Sequence, residues 1–423
     1  MKRIAQKSGN GKRKVKDINE QFLSGGIDVK VELIQSLIPL GLLYVEEVLQ
    51  NEVAALAGLR YSRADGPKRH VRWGSQGGYV NLGGQRVAVD VPRILNRESG
   101  KVNFPDAYHF LQETRAMDDR VFARILGGIS CRRYEESAEL VPAALGLSAS
   151  NVSRKFVKES AKALEEFRNR PLDSVDIIAI FLDGKTFAGD QMVIALGIDM
   201  EGRKIPLGFT QTATENAKAC SEFLSGLVER GLKYEEGVLV VIDGAKGLRK
   251  AVKNTFGDKA IVQRCQWHKR ENVVSYLTKP QQATFRKKLQ NAYNKPDYKE
   301  AKAAIEHVAK ELKLLNESAL ASLNEGLEET LTLHRLGLYD KLGTSFKTTN
   351  CIESINSQVG RITDRVSHWK NSNHKQRWLA TALMNIEPRL KRVKGFKYLP
   401  IMRHALIREA MGSENRTTES VAA

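Results

Sequence analysis

The apolar residues of this chain keep two different rhythms. Leu33, Ile34, Leu37, Ile38, Leu42, Leu43, Val45, Val48 and Leu49 recur at three- and four-residue spacing, which predicts an amphipathic helix over 31–58. Between 60 and 98 the pattern changes. Trp73-Gly74, Gly77-Gly78 and Gly83-Gly84 punctuate an alternation of Val87, Val89 and Val91. That predicts short strands joined by tight turns, with Arg93 and Arg97 just beyond them. Helical spacing returns from Asp106 to about Leu126, closes at Gly127-Gly128, and resumes from Arg133 to Leu145. Ser148 or Ser150 can cap a further helix whose inner face holds Val152, Phe156 and Leu164. Helix, glycine-containing turn, helix is the pattern of a helix-turn-helix, and also of helical hairpins that bind nothing. In the first reading Asn151, Ser153, Arg154 and Lys155 lie on the leading turn, where DNA is contacted.

From residue 175 the rhythm is that of strands. Val175 to Leu182 is an almost unbroken apolar run ended by Asp183-Gly184-Lys185, and Val238 to Ile242 is another, ended by Asp243-Gly244. Runs of this length read as central strands buried on both faces. Between them, 192–198 and 204–209 form a predicted hairpin about Glu201-Gly202, and 215–230 a helix. A helix over about 246–255 and a short strand at 260–262 follow. Three antiparallel strands, a helix and a parallel strand are the opening of an RNase H-like α/β domain. The stretch 269–345 breaks this order. It is rich in Lys and Glu and predicts helices at 281–293, 298–315 and 319–331, hence an all-α insertion.

The expected organisation is therefore a basic arm (1–30), a helix with a small β module (31–100) and a helical, helix-turn-helix-like DNA-binding region (101–172). A first part of the catalytic domain (173–268), the helical insertion (269–345) and a second part with basic C-terminal helices (346–412) follow. The polar tail, 413–423, is expected to be disordered.

Charge narrows the function. Of 423 residues, 67 are Lys or Arg and 49 Asp or Glu, a formal charge of +18 that points to a polyanionic partner, double-stranded DNA foremost. Cys131, Cys220, Cys265 and Cys351 are far apart and form no CxxC pair, which excludes a disulfide framework. No signal peptide or membrane-spanning stretch is visible. A cytoplasmic, nucleoid-associated protein is expected.

Asp183, Asp243 and Glu353 are the candidate catalytic and metal-binding residues. An aspartate followed by glycine is an ordinary turn element, but two at the ends of fully apolar strands place two carboxylates at one edge of a sheet. Glu353 has its own bland reading, because Asn350-x-x-Glu353 fits a capping box. Yet Ile352, Ile355, Val359 and Ile362 form the buried stripe of that helix, and Glu353 and Asn356 flank it. Asp190, Asp199 and Glu215 are rival acids, none of which ends an apolar strand beside Asp183. Converging carboxylates repel unless cations join them, and oxygen-only ligation favours Mg2+ or Mn2+, two ions per site in phosphodiester chemistry. Cys265 and His268 make half a zinc site with no second half, and read as a buried brace after the second acid. Trp267 reads as core, the other reading being a platform for an unpaired base. A basic, aromatic tract holding Arg361, Arg365, Lys370, Lys375 and Arg377 follows the Glu353 helix, where a phosphate backbone would lie.

In order along the chain, Phe181-Leu182-Asp183-Gly184-Lys185, Val241-Ile242-Asp243-Gly244-Ala245-Lys246-Gly247-Leu248, Cys265-Gln266-Trp267-His268 and Thr349-Asn350-Cys351-Ile352-Glu353-Ser354-Ile355-Asn356 resemble the mutator-type transposases of bacterial insertion sequences. Ser148-Ala149-Ser150-Asn151-Val152-Ser153-Arg154 looks like the family's helix-turn-helix segment. The resemblance runs from about 80 to 405; the first 80 residues match less well. It implies an RNase H-like DDE domain interrupted by a helical insertion, with Asp183, Asp243 and Glu353 as the triad and Cys265 and His268 in a structural motif. It also implies a homodimer or higher multimer acting on terminal inverted repeats. A structure-selective nuclease on the same fold, or a DNA-binding regulator without catalysis, are the alternatives.

Overall fold

The computed structural model describes residues 27–61, 69–82, 85–112, 122, 124–127, 149–212 and 216–421. Two compact units divide the chain, Met1–Glu159 and Ser160–Ala423.

In the first unit the helical rhythm becomes helix α1 (Ile27–Ala57). Its inner stripe, Val45, Leu49, Val53 and Ala57, repeats every four residues and is buried. That stripe meets a three-stranded antiparallel sheet of β1 (His70–Leu82), β2 (Gln85–Asn96) and β3 (Val102–Asn103). Val45 and Leu49 pack with Val80, Val91 and Tyr108, and Val53 and Ala57 with Ile94. Leu82 pairs with Gln85, as the Gly83-Gly84 signal requires of a two-residue hairpin. Helix α2 (Asp106–Gln112) starts where the Glu52 carboxylate of α1 accepts the N–H groups of Asp106 (2.6 Å) and Ala107 (3.0 Å). The basic arm up to residue 26, the helix at 133–145 and the turn after it lie outside the described residues, and residues 27–30, expected in the arm, already belong to α1. The next helix, α3 (Ala149–Asn169), is present, with Val152, Phe156 and Leu164 buried.

The second unit is built on a five-stranded mixed sheet. Its strands are β4 (Ile177–Phe187), β5 (Asp190–Asp199), β6 (Lys204–Thr212), β7 (Val238–Ile242) and β8 (Ala260–Arg264), in the order β6-β5-β4-β7-β8. β4 pairs antiparallel with β5 and parallel with β7, and β7 parallel with β8. Helices α4 (Ala217–Glu229) and α5 (Lys246–Phe256) cover one face, packing Leu224, Leu227, Leu248 and Val252 on Ile180, Leu182, Val240 and Ile242.

After β8 the chain turns helical: α6 (Gln266–Ser275), α7 (Lys279–Tyr293), α8 (Tyr298–Leu315), α9 (Glu317–Asn324), α10 (Leu327–Thr330), α11 (Thr332–Arg335) and α12 (Tyr339–Phe346). The first of these share a core of their own, with Phe285, Leu289, Ile305 and Leu312 at its centre. The helix expected over 319–331 is broken. Gly326 takes φ 64°, and a Cβ there would meet the Arg264 guanidinium at 2.5 Å, so the break lets β8 project an arginine under the insertion. The two ends of this excursion meet, because the Gln266 N–H donates to the Lys347 carbonyl at 3.0 Å.

Helices α13 (Asn350–Thr363), α14 (Ser372–Ile386) and α15 (Leu399–Val421) complete the unit. With α12 they cover the other face of the sheet, where Phe346, Ile352, Ile355, Val359 and Leu383 pack on Phe181, Leu239 and Val241. The backbone of α15 stays helical to Val421, through the segment from which no order was expected.

Candidate active site

Strand geometry decides which way the first two acids face. Along β4, Ile180 and Leu182 join the core under α4 and α5, while Ala179 and Phe181 join the core under α13. Along β7, Val240 and Ile242 take the first side, Leu239 and Val241 the second. Side chains alternate, so Asp183 and Asp243, each next in line, fall on the α13 side. Leu182 is in register with Ile242. The acids therefore stand one step beyond a register pair on adjacent parallel strands, which lie about 4.8 Å apart.

Asp183 is buried, and its Oδ2 accepts a hydrogen bond of 2.9 Å from the Asn356 side-chain amide. Lys185, two residues on, donates to the Asn356 main-chain carbonyl at 2.5 Å. Burial lowers the Lys185 pKa, against the opposing pull of Asp364 and Asp183. Asp243 is half-buried, and its Oδ1 accepts the N–H of Ala245 at 2.9 Å, a turn bond.

Glu353 lies on the first turn of α13. The cap of that helix is Thr349, not Asn350 as the sequence pattern suggested. Thr349 is fully buried and its hydroxyl has three neighbours: Glu353 Oε1 at 2.7 Å, His268 Nδ1 at 3.3 Å and Cys265 Sγ at 3.5 Å. A hydroxyl has one proton to give. The short contact assigns it to Glu353, and the imidazole then donates Nδ1–H to the hydroxyl oxygen. His268 carries that proton readily. Its hydrogen bond with Cys265 raises its pKa, burial opposes, and the charges of Cys265, Asp243 and Glu353 add, bringing it to about 9. Burial alone would push the Cys265 thiol up, but its hydrogen bonds with His268 and the His268 charge bring it down. An imidazolium thus stands within the field of two of the three acids. Asp183 lies inside β4, which runs on to Phe187, just past its last pair with β7; Asp243 follows the end of β7, and Glu353 comes from α13. As the side chains are placed, no three His, Cys, Asp or Glu among the described residues converge to hold one ion.

The other expected site residues fare differently. Trp267, narrowly expected in the core, is 46 % exposed, with its ring edge-on to His268 at 4.8 Å. Arg361, Arg365 and Lys370 are exposed. Lys375 and Arg377 are used internally: Lys375 pairs with Asp190 at 2.7 Å, and buried Arg377 donates to Ser160 and Asn373, each at 2.9 Å. On α3, Ser153 and Arg154 are exposed and Lys155 half-buried, while the side chain of Asn151 lies outside the described residues. Of the rival acids, Asp199 is buried and held by Arg203, which closes the β5–β6 turn, and Glu215 lies outside the described residues. Sequence reasoning passed over Thr349 and Lys185. The signal for Lys185 was its place two residues beyond Asp183, hence on the same face of the strand.

The sequence model of the Mutator family of transposases matches residues 19–392, and the chain belongs to that family. Among curated proteins it is similar to the transposase for insertion sequence element IS905 of Lactococcus lactis subsp. lactis, 26 % identical over 349 residues, covering 80 % of this chain and 85 % of that one. The transposase for IS1081 of Mycobacterium tuberculosis is 27 % identical over 339 residues (76 % and 78 %). That for IS256 in transposon Tn4001 of Staphylococcus aureus is 26 % identical over 318 residues (71 % and 77 %). No helix among the described residues is long and apolar enough to cross a membrane.

Proposed function

We propose that this chain is a DDE-type transposase that binds the terminal inverted repeats of an insertion sequence, cleaves the DNA at the element's ends and joins them to a target. Family membership supports the reaction class. The observation that carries the site is the placement of Asp183 and Asp243 where the parallel pairing of β4 and β7 ends, on the face where α13 brings Glu353. The strand order, with its helical excursion before α13, is what an RNase H-like catalytic domain requires.

The donor set suits divalent Mg2+ or Mn2+. It is made of oxygens, and the buried Oδ1 of Asn356 beside Asp183 has no hydrogen-bond partner. Asp183 and Asp243 would hold the ions from the sheet and Glu353 from the helix. Two such ions supply an activated attacking oxygen, water for cleavage and a DNA 3′-hydroxyl for joining, and a stabilised leaving oxygen. The protein's own part is positional. β4 and β7 fix two carboxylates, and Thr349 holds the third where α13 starts. The His268 imidazolium offsets repulsion between Asp243 and Glu353. Arg361, Arg365 and Lys370 continue from α13 as exposed cations for the phosphate backbone. Exposed Trp267, beside His268, offers a face on which an unpaired base can stack. Residues 151–155 of α3 contribute DNA contacts in the helix-turn-helix reading. The protein acts as a homodimer or larger assembly in the bacterial cytoplasm.

The test uses purified protein, pre-cut element ends and a plasmid target. Mg2+-dependent insertion is expected from the natural chain. Asp183→Asn, Asp243→Asn and Glu353→Gln should each retain end binding and lose cleavage and joining. Full strand transfer by any one of them removes that residue from the site, and cutting without joining makes the protein a nuclease.

A further inference from the structure

Asn356 is the residue at this site whose chemistry is unfinished. It is only 7 % exposed, and its amide nitrogen donates to Asp183 Oδ2 at 2.9 Å. That contact orients the whole amide. Turned the other way, its oxygen would face a carboxylate oxygen, and two acceptors would repel. Oδ1 is therefore directed away from Asp183, and it is buried without a donor. An acceptor left so is destabilising unless something binds it. Lys185 does not supply the donor: its ammonium bonds the main-chain carbonyl of the same residue.

The geometry points to Asn356 Oδ1 as a neutral oxygen ligand for the divalent cation that Asp183 holds, an assignment that rests on the metal-dependent reading above. Amide carbonyl oxygens are ordinary ligands of hard cations. Asn356 follows Glu353 by three positions on α13, so both project from one face of the helix. A neutral ligand completes coordination without adding a fourth negative charge to three acids that already repel. The same side chain grips Asp183 with its nitrogen, so carboxylate and cation would be oriented together by one residue. The competing account is a plain structural tie between α13 and β4.

Full-length protein without DNA distinguishes the two. Mn2+ affinity is read from the electron paramagnetic resonance of the free ion, and melting temperature is measured with and without Mn2+. Asn356→Leu, of similar size but lacking the oxygen, should bind Mn2+ about 10–100-fold more weakly. Asn356→Asp should melt lower than the natural protein without metal, because two carboxylates then face each other. It should also gain more than the natural protein on adding Mn2+. A structural tie alone would leave Mn2+ affinity unchanged and lower both melting temperatures equally; that result overturns the assignment. Asp183→Asn separates the layers. If it abolishes Mn2+ binding while both Asn356 variants bind as the natural protein does, only Asn356 is dismissed. If it binds Mn2+ normally, the metal reading of Asp183 fails as well. Should Asn356→Leu not fold, the two opposed shifts of Asn356→Asp decide the matter.

Discussion

Two of the places where the second unit buries polar groups treat them in opposite ways. Under the helical insertion, Lys269 is almost fully buried, and its ammonium donates to the carbonyls of Ser322 (2.6 Å) and Glu325 (2.5 Å). Gln263 beside it is closed on both sides, donating to the carbonyls of Arg264 and Thr330 and accepting the N–H of Leu333. Where β4 and β7 part, by contrast, Asp243 and Glu353 share the field of one imidazolium, and the Asn356 amide oxygen beside Asp183 has no donor. Buried polarity that closes on itself fixes a fold. Buried polarity that stays open sacrifices stability, and a ligand is the natural reason for it.

Substitutions at the two places should therefore part company. The largest effect is expected from Asp183→Asn. Joining of pre-cut ends should fall about a thousandfold or more, roughly 4 kcal/mol of barrier, while the melting temperature holds or rises as repulsion is relieved. A variant that loses stability and activity together would erase the contrast. Lys269→Met should do the reverse. It leaves two carbonyls without a donor, so urea unfolding should show a loss of about 1–3 kcal/mol, while protein still folded joins DNA normally. Thr349→Val lies between. It removes the hydroxyl shared by Glu353 and His268 at constant shape, for which about 1 kcal/mol of stability and a larger, about tenfold or greater, loss of metal-dependent activity are expected.

The smallest effect concerns pH. Burial, helped by the nearby Arg264 charge, lowers the Lys269 pKa from 10.5 to about 8, against the opposing pull of Glu325 and Glu329. Between those values the unfolded chain binds more protons than the folded one, so this group makes stability rise with pH from about 8 towards 10.5. The rise should be present in urea titrations of the natural protein and absent in Lys269→Met.

Much of this architecture is legible in the sequence, for identifiable reasons. Apolar runs ended by Asp-Gly give β4 and β7, and Glu201-Gly202 gives the β5–β6 turn, because burial on both faces and a positive φ at Gly202 leave few other choices. What stayed hidden depends on contacts between distant segments. Counting by twos from Ile177 puts Asp183 on the face away from α13. The register shift between Ile177 and Ala179 reverses the parity, and nothing local announces that bulge. Trp267 looked like core because it is large and apolar, yet only the path of α6 decides that its ring meets solvent. The break at Gly326 looked like helix interior until Arg264 was seen beneath it. Lys375 and Arg377 looked like part of a DNA-facing tract, but Asp190 and Ser160 draw them inward. A basic tract by itself does not say which of its cations remain available.

The Gln266–Lys347 hydrogen bond has a consequence for how such a protein can change over time. The excursion of helices after β8 begins and ends where Gln266 meets Lys347, and Cys265, His268 and Thr349 are stitched across that point. Whatever grows, shrinks or is exchanged beyond the seam need not disturb the spacing of the acids below it, since closing a longer detour costs little extra entropy. A lineage could thus remodel the surface presented there while the spacing of the three acids stays as it was.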